Sequence, residues 1–559
     1  MRKIIYKFFV VAALSLIVSS CEDLQVTNVD GNNPDEVPSH MLMSGTEKKI
    51  MDYVYDNWFS GRQCLVYSQY WAQRNYTEED RYQIRESVNN SYFNVLYTLI
   101  ADLNQVIKLN TDESTENVSA LYGANQNQIA AARILKAWLY SVMVDTWGSI
   151  PYSEAGQLKD GLYYPKYDDA KVIYADLIKE LTEAAAMIDV TEKRVFISGD
   201  RIFSGDGSPA KWKKFANSLK CRLALHTSKV DPNWKTYIAE ALASGVFESN
   251  SDNALYHYSS TAPEYSKFYE GFYIDARNDF TVSRPFMDIL KGQADTLNVK
   301  SHPWAGVEDP RLAIYTGGPR TVKADNDSTL VGNKYYKNGS YYIGVPYGIA
   351  SSNMTSAFRN IAPNISAAQP VVLNDNFPVP LMTYAELMFI ISEYKGFSEA
   401  EYKAGVKASV EYWSDLAGES VPSDLDAYVT EVSKNVNAET VALQKYIDLY
   451  MNGTEAWVEY RRTGYPTQLL KPGQKSVIVA TKIDPVTKKI LEESALTFSP
   501  LSDVKGDIIS RVKYPTNEST LNGESFNAAV AKLTDGTNNY YTKMFWDART
   551  TTNPHPANK

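Results

Sequence analysis

The stretch that most constrains the fold runs from Ile129 to Ala155, IAAARILKAWLYSVMVDTWGSIPYSEA. Its apolar residues recur every three or four positions, which places them on one face of a helix. Further alanines and long aliphatic side chains widen that face, so most of the helix circumference is expected to be buried. Gly148 accepts the left-handed conformation that ends a helix, and Pro151 prevents the helix from resuming. The sequence therefore predicts a long buried helix, a sharp turn at Gly148 and an extended exit.

Several other segments show helical spacing and are separated by short polar links. The predicted helices cover residues 39–59, 79–109, 118–147, 170–188, 210–227, 381–394, 398–416, 424–435 and 439–451. Consecutive long helices with short links favour antiparallel pairs stacked in a solenoid-like array. The predicted fold class is therefore mostly α, with a scaffold of helical pairs and one long irregular insertion.

That insertion, residues 250–378, is rich in Tyr, Gly, Asn, Ser and Pro and has only short helical segments. Long irregular insertions in helical chains usually carry function. Its tyrosines are candidate ligand contacts, because flat rings stack on sugar faces or clamp a peptide while their hydroxyls supply hydrogen bonds. The candidates are Tyr265, Tyr269, Tyr273, Tyr335, Tyr341, Tyr342 and Tyr347. The alternative is that most tyrosines of the insertion seal the scaffold beneath the loops.

The N-terminus has the pattern of an export signal. Arg2, Lys3 and Lys7 precede an apolar run, residues 8–18, that is too short to span a bilayer. Small residues then lead into Cys21, as in a lipobox, so Cys21 is the predicted lipidation site. The alternative is an ordinary secreted protein in which this cysteine is incidental. Polar, aperiodic sequence follows as far as about residue 38 and predicts a flexible tether.

The net charge and the catalytic motifs that are missing reduce the number of functional classes to consider. Removal of residues 1–20 takes away three positive charges and changes the formal net charge from −10 to −13, so no nucleic-acid partner is expected. The sequence has no Walker A loop, G-x-S-x-G, H-E-x-x-H or C-x-x-C motif. The histidines are scattered, so we predict neither a metal site nor a cofactor. A glycosidase carboxylate pair is defined by a distance, and the sequence leaves that alternative open.

Two acidic runs and two cysteines have competing interpretations. Asp325–Asp327 and Asp30–Asn32 lack a full calcium loop and are interpreted as solvated turns, although a structural calcium stays open. Cys64 and Cys221 would form either one disulfide in an exported protein or two buried free thiols.

Two arginines and two glutamates lie close together on one predicted helix. They could form an anion-binding site or pair with one another. Arg461 and Arg462 are basic enough for an anion site, but Glu455 and Glu459 lie close by on the same helix. Internal ion pairing is therefore the preferred prediction. His226, on the face of another predicted helix, is interpreted as a packing histidine rather than a ligand.

The string DTWGSIPYSEA resembles the DxxGxIPYxEA signature of the SusD/RagB-like outer-membrane lipoproteins of Bacteroidota, and more narrowly their SusD-like 2 branch. Further family motifs follow in the family's order: SPAKWKKFANSLKCRLALH, DPRL, a Gly- and Tyr-rich loop ending in GVPYG, YAE, EAWVEYRRTGYP and RVKYP. The resemblance implies tetratricopeptide-like helical pairs. The predicted domains are a signal peptide (1–20), a tether (21–38), an N-terminal helical scaffold (39–249), the insertion as ligand face (250–378) and a C-terminal helical part (379–559).

The resemblance also implies a function. Such a protein is a nutrient-binding lipoprotein, anchored by lipid at Cys21 and exposed on the outer membrane. It would capture oligomers, most often glycans, and deliver them to a SusC-type TonB-dependent transporter without catalysing a reaction. Two alternatives stay open: the same architecture with peptide cargo, and a surface glycoside hydrolase with two facing acids.

Overall fold

The computed structural model describes residues 37–157, 161–322, 328–359 and 370–550. Helices of seven or more residues in these ranges are numbered in chain order. They are α1 Ser39–Val54, α2 Glu86–Leu109, α3 Asn125–Trp147, α4 Ala170–Met187, α5 Ser208–His226, α6 Trp234–Ser244, α7 Arg284–Leu290, α8 Tyr384–Tyr394, α9 Glu399–Ala417, α10 Leu425–Val432, α11 Ala438–Asp448, α12 Gly453–Thr463 and α13 Gly523–Val530.

Helix α3 lies at the centre of the scaffold. From Ala130 to Trp147 every side chain except those of Arg133 and Lys136 is buried. The helix ends where the sequence predicts, because Gly148 adopts a φ of 87° and donates its N–H to the last turn. The wide apolar face seen in the sequence is therefore buried over its whole width.

Consecutive helices pack on one another through the N-terminal half. Helix α1 packs on α2, α2 on α3, α3 on α4, α4 on α5, and α5 on α6. After the insertion, α8 packs on α9 and α11, and α11 packs on α12. Helices α8 and α12 also pack on α5, so the helices before and after the insertion share one core. The predicted tetratricopeptide-like scaffold of helical pairs is confirmed.

Side-chain caps help to set where helices begin. Asp169 accepts from the N–H of Lys171 at the start of α4, and Thr383 accepts from the N–H of Glu386 in α8. Asn437 and Thr440 form a reciprocal capping box on α11. Each such cap typically stabilises a helix by about 1 kcal/mol.

In the described ranges each strand pairs with one other strand, and every pair is antiparallel. The pairs are β1 Trp71–Gln73 with β5 Phe280–Val282, β2 Ile150–Pro151 with β3 Tyr167–Asp168, β4 Ala254–Tyr256 with β10 Val379–Met382, β6 Arg320–Val322 with β9 Gly339–Tyr341, β7 Ser328–Val331 with β8 Lys334–Lys337, and β11 Lys475–Ile483 with β12 Ile490–Thr497. The β1–β5 and β4–β10 pairs attach the insertion to the helical scaffold.

Shorter helical turns occur throughout, and two of them are π-helical. The π-helical turns are Ser60–Cys64 and Glu270–Ile274. The others are Leu65–Tyr67, Glu79–Arg81, Glu116–Ser119, Ala120–Tyr122, Asn250–Asp252, Lys267–Tyr269, Leu312–Thr316, Ser351–Asn353, Ser356–Arg359, Val371–Leu373, Glu518–Leu521 and Thr534–Gly536.

One predicted helix is wrong in its first turns. The helix expected over 79–109 begins only at Glu86. Before it, the Asp80 carboxylate accepts the backbone N–H of Gln73 at 2.8 Å, which holds this segment against β1. Tyr82 is left-handed, with a φ of 65°, and a helix does not continue through that conformation. A tertiary contact thus overrides the local helical pattern.

Two other helix boundaries also differ from the prediction. The helix expected over 39–59 ends at Val54, and the chain continues in irregular turns. The helix expected over 381–394 begins at Tyr384, because the residues before it pair with β4 as strand β10.

The hairpin β11–β12 was not predicted, since the sequence analysis assigned 379–559 to a helical part. Its first strand carries the β-branched run Val477, Ile478 and Val479, which suits a strand. Most hairpin side chains are half-buried or exposed, and the Ala480 N–H donates to the Gly332 carbonyl of the insertion. The hairpin therefore extends the insertion rather than the helical core.

Cys64 and Cys221 are both buried and free, which decides between the two interpretations of this pair. Burial raises the pKa of each thiol to about 12, so both are protonated at neutral pH. Cys21 and the runs 30–32 and 325–327 lie outside the described residues. No helix in the described ranges has the length and apolar character needed to cross a membrane.

Candidate functional site

Three of the predicted tyrosines form a row of half-buried rings, tilted to one another, on the insertion. Tyr265 and Tyr269 have ring centroids 5.2 Å apart, and those of Tyr269 and Tyr273 are 5.4 Å apart. Their spacing of four residues keeps them on one side of the helical turns over 267–274. We call these three residues the tyrosine ladder. The structure thus brings together three side chains that the sequence analysis selected.

The tyrosine ladder rests on a packed aromatic base. Phe268 and Phe272, which alternate with the ladder, lie 5.5 and 5.7 Å from the ring of Trp71. Phe280 on β5 stacks on the same indole at 5.7 Å. Because the base is buried and interlocked, the turns that carry the ladder are held in place before any ligand arrives, which lowers the entropy cost of binding.

A second group of half-buried tyrosines lies on and after strands β8 and β9. Its members are Tyr335, Tyr336, Tyr341 and Tyr342. Tyr336 and Tyr341 meet edge to face at 5.1 Å. Tyr341 and Tyr342 line a shallow groove with Thr281 of β5, the strand whose Phe280 supports the ladder. Strand β5 therefore lies between the two tyrosine groups.

Tyr347 differs from the other predicted ligand contacts. Its side chain is fully buried and packs edge-on against Phe498 at 5.1 Å. Tyr256 and Tyr258 of the insertion are buried as well. We therefore exclude Tyr347 from the candidate face. The other six candidate tyrosines are half-buried.

The chemistry of this face is stacking and hydrogen bonding. Burial raises the pKa of Tyr273 and of Tyr342, so their hydroxyls stay neutral and both donate and accept at physiological pH. Glu270, within the ladder's turns, is paired with Lys267. Neutral hydroxyls beside exposed ring faces suit a polyhydroxylated ligand.

Away from this face, residues of several sequence motifs meet in a buried charge network. Arg222 of α5 holds Glu386 of α8 through two hydrogen bonds of 2.5 and 2.6 Å. His226 Nε2 lies 2.9 Å from Glu455 Oε1 of α12, and its Nδ1 contacts a tyrosine hydroxyl that donates to Asp145 of α3. The motifs therefore bring charged groups from four helices together inside the scaffold.

The same network contains the one group of side chains in the described ranges with metal-ligand geometry. One ligand atom each from His226, Glu455 and Glu459 lies within 4.8 Å of the others. However, Lys445 Nζ is 3.2 Å from Glu459 Oε1, and Arg222 Nε is 3.7 Å from Glu455 Oε2. The protein's own cations already balance these carboxylates, so we assign them a structural role.

This network predicts a loss of stability in acid. Burial alone would raise the pKa of Glu455, but His226 and Arg222 outweigh it and lower that pKa from 4.5 to about 2. The unfolded chain therefore takes up the proton first, and the stabilisation is lost as pH falls from about 5 to about 2. Thermal melts between pH 7 and pH 3 should show a loss that reaches about 2 kcal/mol at pH 3.

A Glu455→Gln variant is the control for that acid dependence. Its melting temperature should be lower than that of the parent at pH 7 and should change less with pH. If parent and variant lose stability in parallel between pH 5 and pH 3, the Glu455 carboxylate is not responsible.

Internal ion pairing with carboxylates was predicted for both arginines of α12, and the structure shows it for one of them. Arg462 pairs with Glu459 at 2.8 Å and with Glu393 at 2.7 Å. Arg461 instead donates to the backbone carbonyl of Asp145 at 2.8 Å and stacks on the buried Trp457. A guanidinium has five donors in a planar fork, so it satisfies buried carbonyls as well as carboxylates.

Sequence reasoning missed an exposed tryptophan near the ladder. Trp58 is 40% exposed and lies in the irregular turns after α1, inside a stretch that was predicted as helix 39–59. The sequence analysis therefore did not consider it as a candidate ligand contact. The signal that could have found it is Gly61, because a glycine so soon after Trp58 weakens the case for an unbroken helix.

The fold and the tyrosine-rich face define a class of protein: a scaffold of tetratricopeptide-like helical pairs that carries a loop-built surface of adjacent, half-buried aromatic rings. The chain belongs to the SusD-like family described as "starch-binding associating with outer membrane", whose profile matches residues 31–480. A second profile, of "SusD and RagB outer membrane lipoprotein", matches residues 417–547. The family resemblance of the sequence motifs is therefore confirmed.

Solved structures of SusD homologues share the fold. A SusD homologue from Parabacteroides distasonis is 21% identical with a TM-score of 0.67, covering 92% of this chain and 98% of its own. A chitin-binding SusD homologue from Flavobacterium johnsoniae is 22% identical with a TM-score of 0.65, covering 92% and 99%. A protein described as chitin-binding is 22% identical with a TM-score of 0.67, covering 91% and 100%. No curated protein matches by sequence.

Proposed function

We propose that this protein binds glycans at the cell surface through the tyrosine ladder and the second tyrosine group. The observation that carries the proposal is the ladder itself, three adjacent tyrosine rings held on an aromatic base. The description of the family as starch-binding and the chitin-binding homologues of the same fold support a glycan rather than another ligand. Several rings in a row suit an oligomer better than a single sugar.

The role in the cell is the second part of the proposal. Cys21 would carry the lipid anchor to the outer membrane, and residues 21–38 would act as a tether. The protein would then hand its ligand to a SusC-type TonB-dependent transporter. Membership in a family of outer-membrane lipoproteins supports this arrangement. The chemistry of uptake belongs to the transporter, and this chain contributes capture.

The ladder should lose affinity in steps. An aromatic stacking contact contributes about 0.5–1.5 kcal/mol beyond area burial, so Tyr269→Ala or Tyr273→Ala alone should weaken oligosaccharide binding up to about tenfold. The double variant should bind below detection if the parent binds in the micromolar range. Calorimetric titration with hexasaccharides of N-acetylglucosamine and of glucose measures this.

Tyr347→Phe is the matched control for those variants, because Tyr347 is buried and keeps its ring. It should bind like the parent. If Tyr269→Ala, Tyr273→Ala and the double variant all fold and bind like the parent, the ladder is not the ligand face.

Bound oligosaccharide should remain intact. The face described above offers hydroxyls and ring surfaces, and the acid within the ladder's turns is engaged by a lysine. Incubation of the soluble protein with the hexasaccharide that it binds, followed by chromatography over a day, should return only the starting material. Steady release of shorter products, abolished by changing a single Asp or Glu, would instead indicate a glycoside hydrolase.

A further inference from the structure

A small open pocket lies where the turns after α1 meet helix α2. It is lined by Tyr53, Asp56, Trp58, Ser87, Ser91 and Tyr92, among others, and has a volume of about 190 Å³. A cavity of roughly 150 Å³ holds a benzene ring. The pocket therefore has room for one six-membered ring, and an oligomer would have to extend out of it.

Trp58 gives this pocket a fixed aromatic wall. Its ring is 40% exposed, whereas the Arg62 guanidinium that packs on it, 4.7 Å from the ring centroid, is almost fully buried. Arg62 in turn pairs with Asp279 at 3.2 Å and lies over Phe280. A large exposed ring held in this way has little rotamer freedom left to lose when a ligand stacks on it.

The polar groups of the pocket are arranged for hydroxyls. Asp56 Oδ1 accepts the N–H groups of Phe59 at 2.7 Å and Ser60 at 3.0 Å, which orients the carboxylate. Tyr92 is 2% exposed, and its hydroxyl has no hydrogen-bond partner among the described residues. A buried hydroxyl left unpaired costs about 1–3 kcal/mol. Because that hydroxyl is also closed to solvent, the half-buried Asp56 carboxylate is the polar group that a ligand hydroxyl would meet.

Contacts connect the pocket to the tyrosine ladder. Asn57, between two pocket residues in sequence, packs directly on Gly271, where a β-carbon would overlap its amide. Gly271 lies between the ladder residues Tyr269 and Tyr273. The Asn57 amide is buried and has no partner among the described residues, so it is a further polar group at the junction. Pocket and ladder therefore adjoin.

On the basis of the proposed glycan binding, we propose that this pocket is an additional sugar subsite. One hexopyranose unit stacks on Trp58 and hydrogen-bonds Asp56, while other units of the same oligosaccharide contact the ladder. The ligand would thus cross from the insertion onto the helical scaffold. The insertion alone would not define the binding face.

The test uses Trp58→Ala, Trp58→Phe and Asp56→Asn in the full mature chain, titrated with hexasaccharides of N-acetylglucosamine and of glucose. Trp58→Ala and Asp56→Asn should each weaken binding of the hexasaccharide that binds the parent about fivefold to tenfold. Trp58→Phe should keep most of the affinity, because it keeps a ring. Ligand should also change the intrinsic fluorescence of the parent, and Trp58→Phe should remove much of that change.

Two outcomes separate failure of this proposal from failure of the proposed function. If the parent binds and Tyr269→Ala weakens binding while Trp58→Ala and Asp56→Asn bind like the parent, the subsite is wrong and the ladder stands. If the parent binds neither hexasaccharide, both proposals are overturned for these glycans. Tyr163→Ala, which removes a 65% exposed ring elsewhere on the surface, is the control and should bind like the parent.

Discussion

Replacing Arg222 by Met is expected to lower the free energy of unfolding by about 3–5 kcal/mol. Arg222 is nearly fully buried and donates both to the Glu386 carboxylate and to the backbone carbonyl of Leu381. Without it, Glu386 keeps a buried charge with no cation, and Glu455 loses a cation 3.7 Å away. Urea unfolding at pH 7, followed by circular dichroism, measures the loss.

Two further variants show whether burial causes the effect. Lys403→Met removes an exposed ion pair with Glu399 on α9 and should change the free energy of unfolding by less than about 1 kcal/mol. Arg222→Met combined with Glu386→Leu should recover part of the loss, because no unpaired charge remains at that position. A destabilisation by Arg222→Met no larger than that of Lys403→Met would contradict the structural role of the network.

Replacing Trp138 by Ala should cost about 3–5 kcal/mol of stability. Trp138 is 2% exposed on α3, and its indole N–H lies 3.3 Å from the same Leu381 carbonyl that Arg222 contacts. The substitution leaves a large cavity between α3 and β10. It also leaves part of the hydrogen bonding of that carbonyl unmet. Thermal and urea unfolding should both report the loss.

Trp58→Ala is the matched control for this cavity. The same side chain is removed, but from a surface position, so the change should stay within about 1 kcal/mol of the parent. Trp138→Ala should therefore unfold far more easily, while Trp58→Ala changes ligand binding. Equal stability of the two variants would show that Trp138 does not anchor the scaffold.

The buried network explains why widely separated motifs belong together. Arg222 and Glu386 are 164 residues apart, and His226 and Glu455 are 229 residues apart. Each motif looks like an independent charged helix in the sequence. In the structure they form one set of balanced charges where α3, α5, α8 and α12 meet. Those motif residues thus specify how the scaffold assembles, and the proposed ligand face is built elsewhere.

The sequence by itself determined the local features of this protein. Its apolar spacing predicted the buried helix α3, and Gly148 marked where that helix ends. The tyrosine-rich composition of the insertion selected Tyr265, Tyr269 and Tyr273 as candidate ligand contacts. The extent of α3 depends on residues within one or two turns of one another, so periodicity records it.

Only the tertiary structure decided which side chains are accessible and which ones meet. Tyr347 belongs to the same tyrosine-rich loop as Tyr342, yet packing against Phe498 buries it completely. Trp58 has a helical pattern around it, yet it stands at the surface of an irregular turn. Burial and exposure arise from contacts between segments distant in the chain. No local pattern encodes those contacts, and they determine where a ligand can bind.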